Sequence, residues 1–191
     1  MELGHVMTPR LLRYGGVPVL YTVSWSAENA LSMFYLGLCP HARRTALRQR
    51  HARGEGKPRF GAPHMDRQRE VIALALCDLC GGPLKNRAKV SLSQARPQGH
   101  AATPGDILQV EPLLHKECAA VSMQHCPSLQ AQAREGSLHI RHVTRHACQF
   151  AIYSAQGTFE AVGVRRRSVS HAKVQLVRWT ERDADWLRGA R

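Results

Sequence analysis

The sequence predicts an α+β fold, in which a small mixed module near the centre of the chain is followed by a β-rich C-terminal part. Two closely spaced pairs of cysteine and histidine residues bracket a segment of strand-like alternation. A helical pattern precedes the first pair and another contains the second. After Gly136 the sequence changes to short runs of β-branched and aromatic residues, which are typical of strands. The predicted regions are N-terminal strands with a basic arm, the central module and the β-rich part, at 1–62, 63–135 and 136–191.

The N-terminal region is predicted to contain a strand pair, a short helix and a basic arm. Residues 10–25 carry β-branched and aromatic residues interrupted by Gly15-Gly16, which predicts two strands joined by a turn. Residues 27–38 predict a short helix. The arm, residues 41–59, holds seven Lys or Arg residues and one acid. Its first half has helical character, and glycines and a proline interrupt the second half.

The elements of the remaining chain follow from periodicity and from proline and glycine positions. In the central module we expect a helix at 66–76, a turn at 77–82, a hairpin of strands at 85–94 and 106–110, and helical pieces at 112–124 and 127–134. In the β-rich part we expect strands at 138–144, 148–153 and 173–179, a loop at 165–167 and a terminal helical turn at 183–188.

The two residue pairs predict a zinc site. Cys77-x-x-Cys80, with glycines directly behind it, has the form of a zinc knuckle. His115-x-x-Cys118 falls in the first turn of a predicted helix, where residues three apart share a face. Zinc takes four nitrogen or sulfur ligands in a tetrahedron, so a Cys₃His set closes the site and gives the metal a structural role. The competing interpretation is two unrelated cysteine pairs in a core.

Knuckle, hairpin and helix in this order are the layout of a treble-clef zinc finger. Cys126 is an alternative to His115 as the fourth ligand, but only if the helix ends early. Eight residues of continuous helix separate Cys118 from Cys126 by about 12 Å, too far for one ion. We therefore expect Cys126 to cap the helix or to lie in the core, and Cys39 and Cys148 to be buried thiols.

A longer pattern is formed by Cys77-x-x-Cys80-Gly81, His115-x-x-Cys118-Ala119 and Cys126-Pro127. This pattern resembles a group of small uncharacterised proteins of bacteriophages and prophages. The likeness covers roughly residues 70–130 and leaves out the basic arm and the C-terminal β region. It implies zinc binding and a phage setting, with the host cytoplasm as the location, and it implies no particular activity.

The charge of the chain predicts a polyanionic partner. There are 27 Lys and Arg against 14 Asp and Glu, which gives a net charge of +13 and a pI near 10.3. A surplus of this size favours nucleic acid, bound through phosphates. No base-reading pattern is present, so we expect little sequence preference. The residues predicted to contact phosphates are Arg43, Arg44, Arg48, Arg50, Lys85, Arg87, Lys89, Arg96, Arg165, Arg166 and Arg167.

Two other functions compete with this prediction. The first is a protein–protein adaptor or virion-associated component whose charge serves solubility. The second is an HNH-type nuclease, which is built on a treble clef and needs a general-base histidine; His100 and His125 are the candidates, and neither lies in an Asp-His pair. No signal peptide or membrane segment is visible, so we expect a cytosolic protein whose six cysteines are reduced.

Overall fold

The computed structural model of the protein describes residues 11–97 and 107–189, which form a mixed fold dominated by strands. The strands are β1 (Arg13–Tyr14), β2 (Val17–Pro18), β3 (Val23–Trp25), β4 (Phe34–Cys39), β5 (Arg44–Gln49), β6 (Pro58–Pro63), β7 (Lys89–Ser93), β8 (Ile107–Gln109), β9 (Leu114–His115), β10 (His139–Tyr153) and β11 (Ser168–Arg182). The helices are α1 (Met65–Ala73), α2 (Lys116–His125), α3 (Pro127–Arg134), α4 (Ala155–Val162) and α5 (Ala184–Arg188), with 3₁₀ turns at Ser26–Glu28 and Leu31–Met33.

One seven-stranded sheet organises the chain. Its strand order is β4-β5-β11-β10-β7-β9, and β8 pairs with β11 beside this path. The two long strands β10 and β11 form an antiparallel hairpin that runs from Ile140 opposite Arg182 to Tyr153 opposite Ser168. β5 lies parallel to β11. Strands from all three regions distinguished in the sequence therefore contribute to a single sheet.

The main hydrophobic core lies between this sheet and helices α1, α2 and α5. On β11 the side chains of Ala172, Val174 and Leu176 are buried, while the residues between them are half-buried. This alternation is the period of two that a strand with one covered face requires. Burying a large apolar side chain stabilises the fold by about 1.5–3 kcal/mol, so the core side of this strand fixes its register.

Helix α1 closes a gap along the edge of β11, between the places where β5 and β8 pair with it. The Gln68 side-chain amide donates to the Ala172 carbonyl at 2.8 Å and accepts from the Ala172 N–H at 2.9 Å. Arg69 donates to the carbonyl oxygens of Ser170 and Leu47. These side chains bond backbone groups of β11 and β5 that would otherwise be buried without a partner.

A buried ion pair joins α1 to the N-terminal region. The Glu28 carboxylate accepts two hydrogen bonds from the Arg67 guanidinium, at 2.7 and 2.8 Å, and two from the backbone N–H groups of Trp25 and Ala52. Burial alone would raise the pKa of Glu28, but these hydrogen bonds lower it to about 2. His64 lies 3.7 Å from the same carboxylate, and its burial and the Arg67 charge lower its pKa to about 4.

The N-terminal region contains more strand than the sequence predicts. The strand pair around Gly15-Gly16 is confirmed as β1 and β2. The helix predicted at 27–38 is wrong, because only short 3₁₀ turns precede β4. The helical first half of the basic arm is also wrong, because β5 occupies it and pairs with β4 along its whole length. Ala46 and Leu47 favour a helix in isolation, but their burial between neighbouring strands decides the outcome.

The hairpin predicted for the central module is wrong as well. Both of its strands exist, as β7 and β8, but β8 pairs with β11 and β7 pairs with β10 and β9. The antiparallel pair that leads into α2 is therefore β7 and β9. Helix α2 begins at Lys116, four residues after the predicted start at Pro112, while the helices expected at 66–76 and 127–134 are confirmed as α1 and α3.

The C-terminal part is β-rich as predicted, with longer strands. The segments expected at 138–144 and 148–153 belong to one continuous strand, β10. The strand expected at 173–179 lies within β11, and the terminal helical turn is α5. Helix α4 has no counterpart among the predicted elements. Ser154 caps it by accepting a hydrogen bond from the Gly157 N–H.

Candidate metal centre and basic surface

Cys77 and Cys80 lie in a tight turn that connects α1 to β7. The Cys77 N–H donates to the Gly82 carbonyl and the Gly81 N–H donates to the Cys77 carbonyl, both at 2.8 Å. Gly81 has a φ of 68°, a left-handed conformation that favours glycine. A Cβ atom on Gly82 would lie 3.4 Å from the Cys80 sulfur. Gly81 therefore allows the turn to close, and a Cβ atom at position 82 would be in van der Waals contact with the thiol.

Asp78 anchors this turn to the rest of the fold. Its carboxylate accepts a hydrogen bond from the Thr22 hydroxyl at 2.6 Å, and its backbone carbonyl accepts from the Tyr21 N–H. Its own N–H donates to the Leu113 carbonyl at 3.0 Å. Burial raises the pKa of Asp78 to about 6. The position of the knuckle is thus set by contacts with both the N-terminal region and the segment that precedes β9.

His115 is placed by the short ladder between β7 and β9, in which it lies opposite Lys89. It is the last residue before α2 begins, so its side chain and that of Cys118 share one end of the helix. The His115 Nδ1 atom lies 3.4 Å from the Cys80 sulfur and 3.8 Å from the Cys118 sulfur. Its Nε2 atom lies 3.0 Å from the Pro83 carbonyl oxygen. A proton on Nε2 can bond that carbonyl, which leaves Nδ1 as a metal ligand.

The structure brings together all four residues that the sequence predicts as ligands. The ligand atoms of Cys77, Cys80, His115 and Cys118 lie within 4.8 Å of one another and could hold a metal ion. For comparison, a tetrahedral ion with bonds of about 2.3 Å to sulfur separates its ligand atoms by roughly 3.8 Å. The residues therefore fit a four-coordinate metal with little movement.

Hydrogen bonds within the cluster separate the pKa values of the three thiols. The pKa of Cys77 is lowered to about 5, because the Cys118 thiol donates to its sulfur and because backbone N–H groups, including that of His115 at 3.3 Å, point at it. The same contact raises the pKa of Cys118, and burial raises that of Cys80. Three thiols this close can all be ionised only beside a positive charge, which a metal ion supplies.

The other cysteines lie apart from this cluster. Cys126 is the boundary residue between α2 and α3, where the chain turns, as its predicted capping position requires. Cys39 is buried against Ala46 and Val169 in a small separate core. Cys148 is half-buried, and burial raises the pKa of its thiol. Of the two histidines considered for a nuclease, His125 ends α2 and His100 lies outside the described residues.

Five of the predicted phosphate-contacting arginines gather at one end of the sheet. Arg43 and Arg44 are at the start of β5, and Arg165, Arg166 and Arg167 directly precede β11; since these strands are parallel, both starts lie at the same end. A cavity of about 360 Å³ at this end is lined by Arg44, Thr45, Ile152, Arg166, Arg167, Ser168 and Val169. We call it the arginine cavity. Across residues 11–97 and 107–189, none of the five arginines forms an ion pair with a carboxylate.

The remaining predicted phosphate contacts are dispersed, and two are engaged within the protein. Arg48 donates to the Asp66 carboxylate at 2.7 Å, so its guanidinium links β5 to α1. Arg87 pairs with Glu117 at 3.1 Å. Arg50 is exposed and lies over the Tyr35 ring. The others are Lys85 and Arg96, which are exposed, and Lys89, which is half-buried.

A second group of cations surrounds Trp186 and was not predicted from the sequence. The Lys116 Nζ atom lies 4.5 Å from the centroid of the indole ring, and the Arg182 guanidinium lies 5.6 Å from it. The His142 ring lies 5.6 Å away, and its pKa is lowered by burial and by the charges of Arg182, Lys116 and Lys89. Such contacts stabilise the cations over the ring. Lys116 directly follows the predicted metal ligand His115, but this position alone does not indicate a contact with Trp186.

No protein-family model, curated protein or solved structure matches the chain. The likeness to phage proteins and the cytosolic location therefore stay predictions. In the part of the chain that the structure describes, every helix is too short or too polar to cross a bilayer.

Proposed function

We propose that this chain is a zinc-stabilised protein that binds nucleic acid through the phosphate backbone, with little preference for sequence. The observation that carries the proposal is the arginine cavity. Arg44 is far from Arg166 and Arg167 in the chain, yet all three line one cavity that includes no acidic residue. Arginine is the side chain best suited to phosphate, because its planar guanidinium can donate two parallel hydrogen bonds to phosphate oxygens.

Zinc is the metal that the donor set favours. Three thiolates and one imidazole form a soft, closed ligand set, and zinc prefers such sets in tetrahedral structural sites. The knuckle, the β7–β9 ladder and α2 are arranged in the order of a treble-clef finger. With four protein ligands no coordination position is left for water, so the ion would stabilise the fold and take no part in hydrolysis.

The charge balance supports a polyanionic ligand. The net charge of +13 attracts polyanions from a distance, and the arginine cavity gives that attraction a focus. Arg43 flanks the cavity on an exposed turn, and Arg165 lies over the Phe159 ring at 5.1 Å. Each cation that contacts a phosphate releases condensed counterions, so binding of this kind must weaken steeply as salt rises.

The test is the salt dependence of binding to fluorescently labelled 20-nucleotide DNA and RNA, measured by anisotropy between 50 and 200 mM salt. The double variant Arg166→Gln/Arg167→Gln should weaken binding equally for different sequences. It should also reduce the slope of log affinity against log salt by roughly 1.5–2. The matched control is Arg134→Gln/Arg178→Gln, which removes the same charge from exposed residues outside the cavity.

The control variant should keep a slope close to that of the wild type. Equal losses in both double variants would show that net charge, not the cavity, governs binding. If the wild-type protein has no affinity for DNA or RNA at 50 mM salt, the proposal fails and a protein–protein adaptor role takes its place.

A further inference from the structure

The arginine cavity adjoins a second cavity of different character. This second cavity, of about 310 Å³, is lined by Ala42, Arg44, Phe150, Ile152 and Val169. Arg44, Ile152 and Val169 line both cavities. The two cavities therefore share three wall residues. Arginines bound the first cavity, and the end of β10 bounds the second. We call the combination the joint cavity.

The apolar part is lined by Phe150 and Ile152, and Phe150 also packs against the small core of Cys39, Ala46 and Val169. Phe150 and Ile152 are two residues apart on β10, on either side of a register shift in its pairing with β11, and both line the second cavity. Phe150 is half-buried, and Ile152 is 39% exposed although it is fully apolar. A ligand with an anionic group next to a flat or apolar group would match both parts of the joint cavity.

We propose that the joint cavity holds one nucleotide unit, with its phosphate between Arg44, Arg166 and Arg167 and its base against Phe150 and Ile152. Three guanidinium groups exceed what a single carboxylate needs and suit the several oxygens of a phosphate. Every base has a π-face that can stack on an aromatic ring, so this contact adds affinity without reading sequence. The inference rests on the proposed nucleic-acid binding and names the part of the nucleic acid that the cavity recognises beyond the backbone.

The proposal is tested with two labelled 20-mers of equal backbone charge, oligo-dT and an abasic strand of tetrahydrofuran units. Base stacking on a protein aromatic ring contributes roughly fivefold or more in affinity. Wild-type protein should therefore bind oligo-dT at least about fivefold more tightly than the abasic strand. Phe150→Leu should lower the affinity for oligo-dT toward that for the abasic strand and leave the abasic affinity unchanged. Arg166→Gln/Arg167→Gln should weaken both.

Two further variants keep the test decisive. Ile152→Ser alters a partly exposed wall of the joint cavity and should also reduce the preference for oligo-dT, even if Phe150→Leu fails to fold. Val177→Ala is the matched control, because Val177 is an apolar residue of β11 that is 36% exposed and lies outside both cavities. It should keep the full preference.

Free ligands provide an independent measurement. AMP should displace the labelled oligo-dT at a concentration at least about fivefold lower than ribose 5-phosphate, because only AMP carries a base. Equal potency of the two competitors, or equal affinity of wild-type protein for the two strands, would overturn the nucleotide site and leave backbone binding intact. Failure of wild-type protein to bind either strand at low salt would instead remove the proposed function itself.

Discussion

Loss of one charge from the buried ion pair between Glu28 and Arg67 should lower the free energy of unfolding strongly. Glu28 is fully buried, and its carboxylate accepts four hydrogen bonds. Glu28→Gln keeps the shape of the side chain but turns one acceptor oxygen into a donor that faces other donors. Removing one partner of a buried pair costs about 3–5 kcal/mol, because the remaining charge is left uncompensated. Arg67 would keep two backbone carbonyl acceptors, so we expect the free energy of unfolding to fall by the lower end of this range, about 3 kcal/mol.

The assay is urea unfolding of the purified protein, followed by circular dichroism. The control is Asp185→Asn, which breaks an ion pair between Asp185 and Arg188. Their side chains are 82% and 73% exposed, respectively. Exposed pairs contribute about 0–1 kcal/mol, so this variant should unfold close to the wild-type midpoint. If Glu28→Gln lowers the free energy of unfolding no more than Asp185→Asn does, the argument from burial is refuted.

Three other perturbations follow from the structure. Cys118→Ser should lose the metal and destabilise the fold while Cys126→Ser keeps it, as elemental analysis would measure; loss from both variants would contradict the four-ligand site. The pKa of His64 is near 4 in the folded state and about 6.5 when unfolded. The unfolded chain therefore binds the proton first, and the contribution of His64 to stability should fall by roughly 2 kcal/mol between pH 7 and pH 5. Asp78, whose pKa is raised by burial, acts in the opposite direction, so the comparison is with a variant. On acidification His64→Gln should lose less free energy of unfolding in urea than the wild type, and an equal loss would exclude His64 as a cause. Gln68→Leu should lower the free energy of unfolding by about 1–3 kcal/mol, since it leaves buried backbone groups of Ala172 without hydrogen bonds. An unchanged free energy of unfolding would mean that the gap in the sheet does not depend on Gln68.

The cluster of Cys77, Cys80, His115 and Cys118 was predictable because the sequence signals for it are local. Cys77 and Cys80 are joined by a turn that two following glycines permit, and His115 and Cys118 by one turn at the start of a helix. Only the convergence of the two pairs required the tertiary structure. The ladder that achieves it differs from the predicted hairpin, yet it delivers the same four side chains.

The arginine cavity and the buried charges were not predictable in the same way. Arg44 meets Arg166 and Arg167 only because β5 lies parallel to β11, a pairing between distant segments that no local pattern indicates. The charged residues at the start of α1 suggest an exposed first turn, but Arg67 and Arg69 are buried. Their acceptors come from the N-terminal region and from the sheet, so their burial depends on contacts that the helix sequence does not contain.

Mass spectrometry under native conditions can measure whether Cys77, Cys80, His115 and Cys118 hold one zinc ion. Protein purified from zinc-supplemented cells should carry the additional mass of one zinc ion in its compact charge states, and should lose that mass in denaturing acid. The Cys80→Ser variant should lack it. Compact, folded wild-type protein at the metal-free mass would show that the four residues hold no zinc ion.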